Sequence, residues 1–278
     1  MGDTGHDRGA PAQSLLFFTC ATGYYENFVV PYIYFAARHN KGAKFEFIVS
    51  DLKSFTAKNG AALGWLEKTL GVRPLIRDLH DLPVRSKNEN ALRFINTPIQ
   101  TASHVYIGDV DILIFDDVMA WHQPVFDVGL PYSNIIRKGT RRLSGLHFTT
   151  WDGYYPIPPL GDLMARYKND EELLYAIVAR KGSLYDLALY RALVKGRPVH
   201  GVHMSLNRLP FSAPAERAAW GITYRYMAEF EAISRTPEFE SFYETLYAGP
   251  AQILLNLIFL SRGVCDYGED FLQAKVRR

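Results

Sequence analysis

Two aspartates one residue apart, Asp109 and Asp111, interrupt the apolar stretch "HVYIGDVDILIF" at residues 104–115. Ionised carboxylates are costly beside a core unless something compensates their charge. In extended backbone, residues i and i+2 point to the same side, so the two side chains can converge and present up to four oxygens. Oxygen ligands suit a hard divalent cation such as Mg²⁺ or Mn²⁺, which leaves room for the phosphate oxygens of a substrate. The alternative is a pair of turn residues, but a surface turn does not need apolar runs on both sides.

Something must hold these carboxylates at an accessible edge. Residues 14–19, "SLLFFT", read as a buried strand, and 24–40 as a helix with Pro31 giving a late start or a kink. Residues 44–51, "KFEFIVSD", alternate like a strand that ends on Asp51. Residues 61–70 carry Leu63, Leu66 and Leu70 on one helical face, with Gly71 as the stop. Residues 72–79 form a weaker strand, and 88–102 read as a helix with Leu92, Ile95 and Ile99 on its apolar face. The strand with the aspartates follows. This β-α-β-α-β-α-β order predicts a mostly parallel sheet flanked by helices. In such sheets ligands bind beyond the carboxyl ends of the strands. Residues 19–23, Asp51 and Asp109–Asp111 are thereby gathered on one rim.

Beyond residue 120 the pattern is mixed. Residues 125–136 and 146–150 read as strands, 171–180 as a helix ended by Gly182, and 183–195 as another, with Ser183 and Asp186 at capping-box spacing. Residues 198–205 are a strand or loop, and 214–260 mainly helices. Asp116 and Asp117 are expected to cap the short helix "VMAW". Residues 1–13 read as a mobile tail. No repeat or linker divides 14–278, which is expected to be one catalytic domain with segments 14–120, 121–213 and 214–278.

Composition narrows the function. With 31 basic and 29 acidic side chains the formal charge is +2, which argues against a nucleic-acid partner held by bulk charge. Cys20 and Cys265 form neither a disulfide framework nor a zinc motif and fit a reducing compartment. No apolar leader opens the chain, and 251–260 are about half a membrane span. A cytoplasmic protein without a transmembrane segment is expected, with peripheral contact to the inner face of a membrane compatible with the basic end "KVRR". The 17 Tyr and 17 Phe exceed what is usual and can serve cores or ligand platforms.

"RFINTPIQTASHVYIGDVDILIFDDVMAW" resembles the central block of GT-A-fold glycosyltransferases, most closely the family 8-like group, in which an Arg-bearing helix leads into "YLDxD" and an apolar strand. The likeness is confined mainly to residues 90–120, extends to 14–51, and is thin after 210. Gly108 stands where that family often has Leu. The resemblance implies an α/β GT-A fold with a helical C-terminal region. It also implies Mn²⁺ or Mg²⁺ on the D-x-D aspartates, chelating a nucleotide-diphosphate-sugar donor, foremost a UDP-sugar. Asp111 would be a metal ligand, Asp109 would touch metal or ribose, and Arg93 would face the donor phosphate. Such enzymes add a histidine from a C-terminal H-x-x-G segment. "HGVHMSLNR" offers His200 and His203, with His203 preferred and Ser205 and Asn207 behind it, although the following Gly and Lys-Pro-Trp are missing.

The donor's base and ribose are expected against Thr19, Ala21, Thr22, Gly23, Tyr24 and Tyr25, with Asp51 bonding the base and Asp109 and Val110 closing the site. Tyr24 and Tyr25 could equally begin the helix core. "SGLHFTTWDGYYP" is the acceptor-side candidate, its Trp151, Tyr154 and Tyr155 stacking on sugar rings and His147 and Asp152 bonding hydroxyls. As a catalytic base, Asp152 competes with Asp170, Glu171 and Glu172, which equally suit the acidic first turn of a helix. A retaining enzyme would need no such base, and the resemblance favours retention. The acceptor would be a glycan or glycolipid. A haloacid-dehalogenase-type phosphatase also carries D-x-D after an apolar strand, but Leu113 occupies the place where it wants Thr or Val. A sugar nucleotidyltransferase shares the fold, but its Gly-rich first loop is absent. An inactive GT-A-like binding scaffold is the non-enzymatic alternative.

Overall fold

The computed structural model describes residues 13–137, 140–184, 200–204 and 224–267. The strands are β1 (Leu15–Ala21), β2 (Lys44–Val49), β3 (Leu75–Asp78), β4 (His104–Ile107), β5 (Ile112–Ile114), β6 (Tyr132–Ser133), β7 (His147–Thr150) and β8 (Gly201–His203). The first four alternate with helices α1 (Val29–His39), α2 (Leu52–Trp65) and the short α3 (Leu92–Ile95). Six strands form one sheet in the order β3-β2-β1-β4-β7-β6, and β5 and β8 pair separately. β1 is parallel to β2 and β4, and β2 to β3; β7 runs antiparallel to β4, and β6 to β7. The expected mixed α/β architecture, with a mostly parallel sheet between helices, is present.

β1 is buried at every position, as a strand covered on both faces requires. Its residues divide by parity. Phe17 and Ala21 join one core with Phe45, Phe47, Tyr106 and α1, and Leu16, Phe18 and Cys20 join the other with Ile48, Val105 and Leu92. Downstream come α4 (Val118–Asp127), α5 (Trp151–Tyr154), α6 (Leu163–Arg166) and α7 (Asp170–Arg180). Helices α8 (Tyr224–Ser234), α9 (Pro237–Tyr243) and α10 (Ala248–Tyr267) follow, and residues from all three enter the α1-side core. Among the described residues no helix is long and apolar enough to cross a membrane.

Glu46 fixes the entry to β4. Its carboxylate, fully buried, accepts the N–H groups of Ile99 and Gln100 at 2.9 Å and pairs with Arg77 at 3.0 Å. Several sequence expectations change here. The helix expected over 88–102 is a 3₁₀ turn followed by α3, which ends at Asn96 because Thr97 precedes Pro98 and is held extended. Ile99 is accordingly exposed rather than core. Most of the strand expected over 125–136 is helix α4 or loop. Asp117 accepts the Ala120 N–H at 3.1 Å and starts that helix, and β6 keeps only two residues. Asp117 is thus a cap as expected, but Asp116 instead bonds Arg225 and the Tyr226 hydroxyl. The helix expected at 183–195 lies almost wholly outside the described residues, as do Ser205, Asn207 and the "KVRR" end.

Candidate metal and ligand site

Strand direction builds the rim. The carboxyl ends of β1, β2, β3 and β4 face one edge, where Gly108–Asp111 leave β4 and turn into β5. The aspartates therefore converge through a turn between two sheets, not through strand alternation as the sequence suggests. The Thr19 hydroxyl holds this turn by donating to the Gly108 carbonyl at 2.6 Å.

His203 arrives by the β5–β8 ladder. Ile112 pairs with His203, Leu113 with Val202 and Ile114 with Gly201. The Met204 N–H donates to the Asp111 carbonyl at 2.6 Å. His203 Nε2 thus stands 3.8 Å from Asp111 Oδ1. Ligand atoms of Asp109, Asp111 and His203 all lie within 4.8 Å of one another. Two carboxylates and an imidazole form a donor set that Mn²⁺ or Mg²⁺ accepts. Burial pushes the Asp111 carboxyl above its ordinary range, against the pull of His203 and with that of Asp109. A buried carboxylate whose charge is disfavoured in this way fits a cation site.

Arg93 forms the floor. Almost wholly buried on α3, it pairs with Asp109 at 2.7 Å and with Asp170 at 3.3 Å. Burial opposes its charge, but the two carboxylates outweigh that and hold the guanidinium above its usual range. Asp170 begins α7, whose first turn is tied to the bridged residues about Ile136 and Leu143 by Glu171–Arg137 and Glu172–Arg142 pairs. Asp170 therefore belongs both to the acidic first turn and to the site. Gly145 packs against the Arg93–Asp109 pair, and a Cβ there would stand 3.2 Å from Arg93 Nη2 and 3.4 Å from Asp109 Oδ2.

Together these residues enclose a cleft of about 160 Å³ lined by Cys20, Thr22, Tyr25, Asn90, Arg93, Asp109, Val110, Asp111 and His203. Of the expected donor-binding residues, Thr22, Tyr25, Arg93, Asp109 and Val110 are on it. Gly23, at φ 56°, turns the chain beside it with its N–H on Ser50 Oγ at 2.9 Å. Tyr24 is 59% exposed but off the cleft wall. Three further expected residues lie off the cleft lining. Thr19 and Ala21 are buried inside the sheet, Thr19 with its hydroxyl already used. Asp51 caps α2 by accepting the Ser54 N–H, so that oxygen serves the helix. Cys20 and Asn90 escaped the sequence reading. Asn90 lies one helical turn before Arg93, the one signal available, while burial pushes the Cys20 thiol up to about 12.

The acceptor-side segment divides between two ends of the sheet. Because β7 is antiparallel to β4, His147 pairs with Ile107 near the rim but Thr150 pairs with His104 at the opposite end. Asp152, expected as a catalytic base, is exposed on α5 beyond that opposite end and cannot reach Asp109 or Asp111. Tyr154 and Tyr155 are buried core residues. His147 is fully buried between Tyr132 and Tyr154, with Nδ1 3.1 Å from Asn134, and burial lowers its pKa to about 3. It lies in the core behind the rim and is not on the cleft lining. His200, the alternative metal ligand, is buried at the far end of β8 and bonds His122 at 2.9 Å.

No protein-family model matches the chain, and no curated protein matches it in sequence. Among solved structures it is similar to glycosyltransferases, at 12–13% identity. One is an active-site mutant of LgtC, with a TM-score of 0.46 at 13% identity, over 74% of this chain and 93% of that one. Another is the glycosyltransferase GlyE of Streptococcus pneumoniae TIGR4, with a TM-score of 0.44 at 12% identity. That alignment covers 90% of this chain and 64% of GlyE, so the chain spans less than two thirds of that protein. The galactosyltransferase LgtC in complex with donor and acceptor sugar analogues gives 0.42 at 13% identity, over 84% of this chain and all of that one.

Proposed function

We propose that this chain is a metal-dependent glycosyltransferase of the GT-A type, moving a sugar from a nucleotide-diphosphate-sugar to a glycan or glycolipid hydroxyl. One observation carries the reading: Asp109, Asp111 and His203 converge at the carboxyl-end rim of a parallel sheet, directly beside a buried arginine. Asp109, Asp111 and His203 would hold Mn²⁺ or Mg²⁺. Such an ion, when bound, supplies Lewis-acid stabilisation of the charge on a departing nucleoside diphosphate.

The chain's own groups set up that chemistry. Arg93 fixes the Asp109 carboxylate and keeps a permanent positive charge at the floor of the cleft. Tyr25, 42% exposed on the wall, offers a face for the donor base, a UDP-sugar being the expected donor. With Asp152 at the other end of the sheet, the carboxylates lining the cleft among the described residues are Asp109 and Asp111, with Asp170 behind them on Arg93, and each has an ionic or metal-binding role there. This supports the retaining course, in which the leaving phosphate accepts the proton of the acceptor hydroxyl. A cytoplasmic setting belongs to the same reading.

The test is hydrolysis or transfer of UDP-sugars by the purified protein with Mn²⁺. Activity abolished by chelation and by Asp111→Ala supports the reading. Release of inorganic phosphate from simple phosphate esters, with no turnover of any nucleotide-sugar, would instead favour a phosphatase. Mn²⁺-dependent nucleotide binding without turnover of any donor would favour a binding scaffold.

A further inference from the structure

β5 and β8 approach at one point more closely than any side chain permits. A Cβ on Gly201 would lie 1.8 Å from the Leu113 carbonyl oxygen, 2.9 Å from its carbon and 3.0 Å from the Phe115 nitrogen. All three are backbone atoms, so no rotamer change relieves the overlap. The approach is clasped from both ends. The Phe115 N–H donates to the His200 carbonyl at 2.7 Å, and the Met204 N–H to the Asp111 carbonyl at 2.6 Å. Behind Gly201, His200 Nε2 meets His122 Nε2 at 2.9 Å, and His122 Nδ1 meets Ser133 Oγ at 2.7 Å, all three side chains buried. β8 has only three residues, Gly201 to His203. Any outward shift at its first residue is therefore carried to its last.

We infer that Gly201 is a positioning residue. By leaving no side chain between β5 and β8, and with the His122–His200 hydrogen bond behind it, it sets how closely His203 meets Asp109 and Asp111, and so the cleft's affinity for a divalent cation. The inference rests on the metal reading of the cleft. A glycine needed only for folding would lower stability and leave the cation affinity of the folded protein unchanged.

The test is Mn²⁺ affinity, read from the electron paramagnetic resonance signal of free Mn²⁺ in titrations of the full chain. Gly201→Ala is expected to weaken binding by about tenfold, the scale on which losing support for a ligand acts. In a His203→Ala background the same change should add little, because both remove one contact. Gly64→Ala, where a Cβ meets nothing within 4 Å, is the control and should bind like the parent. If Gly201→Ala does not fold, His122→Phe decides, since it removes the His122–His200 hydrogen bond behind Gly201 without placing an atom between the strands; weaker Mn²⁺ binding is expected. Parental affinity in folded Gly201→Ala, or in His122→Phe where only that variant folds, overturns the inference. Full additivity with His203→Ala does so too. Parental binding in Asp111→Ala would instead overturn the metal reading itself.

Discussion

Asp111 and His203 face each other across a two-stranded ladder, His203 Nε2 3.8 Å from Asp111 Oδ1, although one lies in the middle of the chain and the other far towards its end. A turn supplies the first and a three-residue strand the second. Arg93 then completes the site from below, bridging Asp109 and Asp170.

Arg93→Ala should be among the most damaging single changes. It leaves Asp109 and Asp170 without their shared cation, and breaking a buried pair costs roughly 3–5 kcal/mol. Arg93→Lys should recover only part of this, because both bonds leave Nη2, one bond farther along the side chain than a lysine ammonium reaches, and a buried ammonium gives up its charge more readily. Denaturant titration of the three proteins checks the order parent, Lys, Ala.

Asp152→Asn should leave Mn²⁺ affinity and nucleotide-sugar turnover at parental values, because the residue is exposed at the end of the sheet away from Asp109. A large loss of turnover with an intact fold would contradict the site as drawn.

The D-x-D carboxylates, the parallel order of the first four strands and the arginine before them are legible in the sequence because each rests on local pattern: apolar runs, stops and spacing. Asp152 was misplaced because sequence gives no sign that β7 reverses direction, which sends Trp151 and Asp152 away from the rim while Gly145 stays on it. The Arg93–Asp170 pair joins segments with no shared pattern. Helix α3 was overextended because Leu92, Ile95 and Ile99 keep helical spacing across Pro98, which stops the helix.

Acid should destabilise the fold through its buried histidines. His147 and His200 are neutral, with burial lowering each pKa to about 3, and His122 is lowered well below its ordinary value by burial and by His200. In the unfolded chain each ring takes up a proton as the pH falls through about 6.5. Between these values the unfolded state binds more protons, so stability is full above about pH 6.5 and falls with pH below it. At pH 5 the loss is on the order of 2 kcal/mol for each of His147 and His200. Unfolding followed from pH 7.5 to 4.5 checks the slope, which His147→Phe should flatten.

Glu46→Gln should loosen the entry to β4, since Arg77 and the Ile99 and Gln100 N–H groups lose a charged acceptor. A stability loss of roughly 2–4 kcal/mol is expected, in line with charge-assisted bonds and a broken buried pair. Thermal unfolding measures it.

The central claim is that Asp109, Asp111 and His203 hold the cation through which a nucleoside diphosphate binds. Calorimetric titration of UDP into the parent and Asp111→Ala, with Mn²⁺ and in EDTA, tests it most directly. The parent is expected to bind UDP only when Mn²⁺ is present, and folded Asp111→Ala to lose that binding. Equal UDP affinity of parent and variant with Mn²⁺, or parental binding undiminished in EDTA, would contradict it.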